Sequence, residues 1–123
     1  MSDELSKLPP NVQERLLRLQ QLQQTLQSIL GQKQQVDMEK SEVEQTIAEL
    51  QKTADDTVIY KAIGSLLVKA EKPKVNEDLV ERKELLDTRS TVLTRQEERM
   101  RSQIKEAQTK LQEDLSPVSQ PSS

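Results

Sequence analysis

The chain has no cysteine, no histidine, no tryptophan and no phenylalanine, and among its 123 residues there are one tyrosine and two glycines. Each absence removes a class of function. Without cysteine there are no disulfides and no thiolate chemistry, which fits a reducing cytoplasm. Without histidine and cysteine, most metal sites and nearly all nucleophile–base pairs are excluded. One glycine at a turn cannot build a phosphate-cradling loop, and no G-x-x-x-x-G-K occurs. With Tyr60 as the one aromatic, there is no stacking platform for single-stranded nucleic acid. A round core of this size ordinarily buries several aromatics, so a single compact globule is disfavoured. No apolar run is long enough to span a bilayer, and no N-terminal stretch reads as a signal peptide.

What remains is rich in charge and glutamine. Lysine plus arginine number 18 and aspartate plus glutamate 21, a net charge of −3. The signs are interspersed, which gives no general attraction to nucleic acid or to an anionic membrane. The cluster Arg95, Arg99 and Arg101 has Glu97 and Glu98 among it and reads as a solvated helix face. The paired acids Asp55 and Asp56 read as a helix-to-strand boundary rather than as acid–base catalysts. No cofactor, metal or catalytic residue is expected, and the chain is not read as an enzyme.

The hydrophobic pattern supplies the architecture. Leu19, Leu22, Leu26, Ile29, Val36, Val43, Ile47 and Leu50 advance by alternating threes and fours, and the same count backward reaches Val12 and Leu8. Only Lys33 and Lys40 interrupt this heptad stripe. A helix is expected over about residues 9 to 53, with Pro9 and Pro10 in its first turn, where a missing N–H costs nothing. Its length would be roughly 65 Å. A second heptad, Leu79, Leu86, Leu93, Met100 and Ala107, with Ile104 and Leu111 on the neighbouring seam, predicts another helix over about residues 76 to 115. Asn76 is the expected N-cap, with Glu77 and Asp78 in the first turn and Val75 and Val80 as a hydrophobic staple. Residues 116–123, rich in serine, are expected to be a disordered tail.

Between the helices, residues 57 to 71 change character. Two runs of β-formers flank Gly64-Ser65, which reads as a tight hairpin turn; Lys72-Pro73-Lys74 is taken to end the second strand. One hairpin face would carry Ile59, Ile63, Leu66, Val68 and Ala70, the other Val58, Tyr60, Ala62 and Leu67. The fold class is therefore mainly α: a long antiparallel two-helix coiled coil with a single β-hairpin at the connecting end, one domain over residues 1–115. Facing residues of the helices should have numbers that add to about 130, within half a turn.

A lone two-stranded hairpin that is apolar on both faces is marginal in water. Leaving its side chains exposed would cost on the order of 10 kcal/mol. Pairing with hairpins of other chains is the simplest remedy, so Val58, Ile59, Tyr60, Ile63, Gly64, Leu66, Leu67 and Val68 are the expected assembly residues. The alternative is a cap folded onto its own helices. At the opposite tip, Leu5, Leu8, Val12, Leu16, Leu17, Leu111 and Leu115 supply more apolar side chains than a two-helix seam needs. They are candidates for contact with an unfolded chain, or for tip packing.

At the hairpin the sequence resembles a known family. Val58-Ile59-Tyr60-Lys61-Ala62-Ile63-Gly64-Ser65-Leu66-Leu67-Val68-Lys69 is similar to the VYK-x-x-G-x-x-LVK stretch of prefoldin β-type subunits, apart from the extra Ile59 before Tyr60. The glutamine-rich first helix, Asp55-Asp56 and the stretch from Arg95 to Arg99 also look like archaeal members. The resemblance spans about residues 8 to 115. It implies a subunit of a hexamer of two α-type and four β-type chains, whose hairpins build a β-barrel platform and whose coiled-coil tips hold unfolded client proteins. Such a chaperone is an ATP-independent holdase that passes clients to a group II chaperonin in the cytoplasm. The single hairpin fits a β-type chain. The competing reading of the residues is a structural coiled-coil adapter that binds one folded partner.

Overall fold

The computed structural model describes residues 7–115. In chain order these form helix α1 (Pro10–Gln51), strand β1 (Ile59–Ile63), strand β2 (Leu66–Ala70) and helix α2 (Lys72–Leu115). The expected fold class holds: two long helices with a two-stranded antiparallel hairpin between them. The calls on Leu5 and on the 116–123 tail lie outside the described residues. The chain divides into two compact units, one of residues up to Gln32 together with those from Leu93 onward, the other Lys33–Val92.

In the Lys33–Val92 unit the ends of α1 and the start of α2 run antiparallel. Val36, Val43, Leu50 and Leu86 are buried between them, and Leu86 is 0% exposed. The flanking charges record the alignment: Lys40 to Asp87 at 2.7 Å, Lys83 to Glu44 at 3.8 Å, and the Ser90 hydroxyl donating to Asp37 at 3.5 Å. These pairs lie within a helical turn of the expected register. Lys40, an interruption in the heptad stripe, is thus matched by an acid on the facing helix. The seam stays aliphatic because no polar side chain is buried among the described residues.

In the other unit Leu22, Leu26 and Ile104 form a core cluster against which Leu19, Leu30, Met100 and Ala107 pack. Leu26 therefore meets Ile104 as the heptad count predicts. Pro10 is the first helical residue, and the Val12 and Gln13 amides donate to the Pro9 carbonyl at 3.0 and 3.1 Å. Proline's fixed φ suits this position and its missing donor is no loss. Asp114 accepts from Asn11 at 3.5 Å and pairs with Arg15, tying the two chain ends together.

The start of α2 departs from expectation. The helix begins at Lys72 rather than at Asn76, so Asn76 is not the cap, and the Val75–Val80 staple is replaced by a first turn already formed. The Val75 amide donates to the Glu71 carbonyl at 3.0 Å. Pro73 lies inside that first turn, where its lack of an N–H leaves no helical bond unmade. What reads as a strand stop is a helix start, because proline ends one element and opens the next equally well. The end of α1 is tied to this junction. The Thr53 amide and hydroxyl both bond the Leu50 carbonyl, and the Lys72 ammonium donates to the Thr53 carbonyl at 2.7 Å. A cation on the last carbonyls complements the helix dipole.

Candidate assembly and binding surfaces

The hairpin register is Ile59 opposite Ala70, Tyr60 opposite Lys69, Lys61 opposite Val68, Ala62 opposite Leu67 and Ile63 opposite Leu66. That leaves Gly64 and Ser65 as a two-residue turn. Gly64 has φ of 58°, while Ser65 is not in the positive-φ region. A glycine with positive φ at the first central position is the signature of a II′ turn, whose twist matches that of paired strands. An L-side chain there would be strained.

Alternation then sorts the side chains. One face holds Ile59, Lys61, Ile63, Leu66, Val68 and Ala70; the other holds Tyr60, Ala62, Leu67 and Lys69. The apolar members are left open to water by their own chain: Leu67 is 72% exposed, Leu66 65%, Tyr60 61%, Ile63 and Val58 54%, and Val68 44%. Only Ile59 and Ala70, at the base of the hairpin, are half-buried. The cap-on-its-own-helices alternative is therefore not what the chain does. Both strands are also edges, with unpaired backbone groups along them.

Lys61 is the charge on the first face, and its ammonium lies 3.5 Å from Asp78 of α2. The other oxygen of Asp78 receives Lys74 at 3.2 Å. Hydrogen bonding to Lys74 and, beyond it, the neighbouring Lys61 hold the Asp78 carboxyl below its ordinary value, while partial desolvation works against them. The same contact with Asp78 raises the Lys74 pKa. The periodicity of the chain does not reveal this partner of Lys61; it follows once the hairpin lies over the first turns of α2. The Lys72 tether at the hairpin base was also missed. Its signal was present, a lysine just after a strand whose helix neighbour needs carbonyl partners.

The tip candidates do not behave alike. Val12 and Leu111 are 2% and 9% exposed and belong to the inter-helix core, so as folded they do not face a ligand. Their heptad phase, the same as that of Leu19 and Ile104, accounts for this. Leu8 and Leu16 are half-buried. Leu17 and Leu115 stand out at 55% and 52% exposed. One concavity of this unit is an open groove of about 470 Å³ with charged walls, including Arg15, Arg18, Glu106 and Lys110 around Leu22 and Ala107. It has no enclosed apolar pocket character. Among the described residues no group of acids is placed to hold a metal ion, and no helix is long and apolar enough to cross a membrane.

The geometry has close counterparts. A family described as prefoldin subunit matches residues 13–117. Prefoldin subunit beta of Archaeoglobus fulgidus is 46% identical over 113 residues, covering 92% of this chain and 97% of that one. The protein of the same description from Methanothrix thermoacetophila is 42% identical over 109 residues, covering 89% and 91%. Among solved structures, the prefoldin beta subunit from Thermococcus strain KS-1 superposes with a TM-score of 0.80 at 38% identity, over 86% of this chain and 93% of that one. The beta2 subunit from the same source, at 21% identity and a TM-score of 0.67 over 74% and 97%, shares the fold.

Proposed function

The chain belongs to the prefoldin subunit family, and from that premise we propose that it is a β-type subunit of an ATP-independent holdase chaperone. It assembles through its hairpin with α-type subunits and further β-type copies into a hexamer of two α-type and four β-type chains. Its coiled-coil tips hold non-native proteins in the cytoplasm and pass them to a group II chaperonin.

The observation that carries this reading is the exposed hairpin. A chain that leaves Tyr60, Ile63, Leu66 and Leu67 each more than half open to water has a surface of the kind that associates. Assembly in turn gathers several tips. At each tip Leu17 and Leu115 are exposed, with Leu8 and Leu16 half-buried beside them. A few apolar side chains bind weakly, but several tips on one body act with an effective concentration that turns weak contacts into capture. Hydrophobic contact is non-directional, so many client sequences satisfy it. Release needs no nucleotide because each contact alone is weak. Nothing in the chemistry of the described residues asks for a cofactor.

The test is light scattering of a chemically denatured client diluted into buffer without ATP. The chain co-assembled with an α-type subunit suppresses aggregation. Removing residues 1–16 and 112–123 abolishes protection while the complex stays assembled with the same number of subunits. Loss of the complex on that truncation, or full protection after it, contradicts the tip assignment. Tight stoichiometric binding of one folded partner, with no protection of assorted unfolded clients, would favour the adapter reading.

A further inference from the structure

The open groove beside Leu22 and Ala107 has its origin in one small residue. Along α2 the seam position that recurs every seventh residue carries Leu79, Leu86, Leu93 and Met100, and then Ala107. Ala107 is half-buried and packs against the core cluster of Leu22, Leu26 and Ile104. Where the four preceding positions offer a long side chain, this one ends at its Cβ. The shortfall opens on one flank of the helix pair as the groove of about 470 Å³, within the roughly 300–1,000 Å³ of sites that take small ligands. All of its walls belong to one compact unit.

The charges around the groove are not equivalent. Arg15 is engaged with Asp114, and Lys110 lies 3.3 Å from Glu106, one turn back. Arg18 makes no ion pair among the described residues. It is exposed and, four residues before Leu22, stands on the same helix face as the apolar floor. Glu14, also without an ion pair among the described residues, lies a turn further toward the start of α1. The ground beside Ala107 therefore joins an aliphatic floor to an unpaired guanidinium.

Building on the holdase reading above, we propose that this groove seats a segment of unfolded chain in which an aliphatic side chain neighbours a carboxylate. The aliphatic side chain lies over Ala107 and Leu22, and the carboxylate takes the Arg18 fork. A guanidinium matches a carboxylate with two parallel hydrogen bonds. A basic segment meets Arg18 and Lys110 instead and is disfavoured. Leu17 and Leu115, the exposed leucines of the tip, do not line the groove, so the seat adds selectivity to a contact that is otherwise apolar alone. Arg18 and Ala107 are then the residues that determine which unfolded segments are held. An exposed ion pair is weak by itself, and several seats on one body add to one another.

The experiment follows the fluorescence anisotropy of labelled, unstructured peptides added to the chain co-assembled with the α-type prefoldin subunit of the same organism. The probes are glycine–serine peptides that carry Leu-Asp pairs, Leu-Lys pairs or Ser-Asp pairs. The parent assembly is expected to bind the Leu-Asp probe at least about fivefold more tightly than either of the others at low salt. Arg18→Glu reverses the order of the Leu-Asp and Leu-Lys probes. Ala107→Leu fills the groove with the side chain that Leu86 and Leu93 already place in the seam. It weakens binding of the Leu-Asp probe about tenfold, while circular dichroism shows undiminished helix and native mass spectrometry the same number of subunits. A purely structural role for Ala107 would instead leave binding unchanged and raise Tm. Unaltered Leu-Asp affinity in Ala107→Leu, or an unaltered order of probes in Arg18→Glu, overturns the inference. So does binding of the Ser-Asp probe as tight as that of the Leu-Asp probe. Suppression of client aggregation by the parent assembly in any of these cases leaves the holdase reading standing, and its absence overturns that reading itself.

Discussion

Replacing Ile63 and Leu66 together by aspartate separates what the hairpin does for the chain from what it does for an assembly. The two residues are cross-strand partners on one face, 54% and 65% exposed. Full burial of an Ile or Leu side chain is worth roughly 1.5–3 kcal/mol, so covering the open part recovers about 1–2 kcal/mol from each. Aspartate forfeits this and adds a desolvation penalty of several kcal/mol for each carboxylate enclosed. Association through this face should weaken by more than about 5 kcal/mol, over a thousandfold. The isolated chain is far less affected. Little of either side chain is packed internally, and the cost is about 1 kcal/mol per residue of strand propensity, while Val36, Val43 and Leu86 stay in place. Native mass measurement should therefore report loss of the assembled species, while the circular dichroism at 222 nm keeps its helical amplitude. An unchanged assembled mass would refute the assignment of the hairpin. A collapse of helix content along with assembly would show instead that the hairpin holds the helices together.

Three further outcomes follow from the packing. Leu86→Ala, at a side chain 0% exposed, should cost about 3 kcal/mol and lower Tm by ten degrees or so; thermal denaturation that shifts by less than a third of this would mean the layer collapses around the gap. Gly31→Ala should raise stability by about 0.5–1 kcal/mol, since Gly31 lies within α1 with nothing within 4 Å of an added Cβ; a fall in the denaturation midpoint would point to a neighbour that needs the space. Asp78 is held below its ordinary 3.8. Its contribution is therefore complete above that pH and is lost as the pH falls through the lower, folded value. Carboxyl chemical shifts followed by NMR should place its midpoint below 3.8, and Lys74→Met should move it upward.

Much of the fold was legible because two periodicities are written into the chain without ambiguity. The three-four spacing from Leu19 to Leu50 needs a helix, and its partner heptad from Leu79 to Ala107 tells which faces meet, so Leu26 against Ile104 could be counted out. The hairpin register followed from Gly64-Ser65 and strict alternation. The boundary at α2 did not follow, since Pro73 is compatible with ending β2 and with opening a helix, and only the Glu71 to Val75 hydrogen bond decides. At the tip, Val12 and Leu111 were grouped with exposed leucines by proximity in sequence, although their heptad phase already assigned them to the seam. The Lys61–Asp78 contact lay beyond reading, because it depends on the angle at which the sheet leaves the helix pair.

The scarcity of aromatics gives this molecule a spectroscopic convenience. Tyr60 supplies all of its near-ultraviolet absorption, and it sits on a face of the hairpin where it is more than half exposed. The coiled coil is silent at those wavelengths. Tyrosine emission and near-ultraviolet dichroism therefore watch one spot, and a change in either during mixing with another subunit times the closing of that joint without any label.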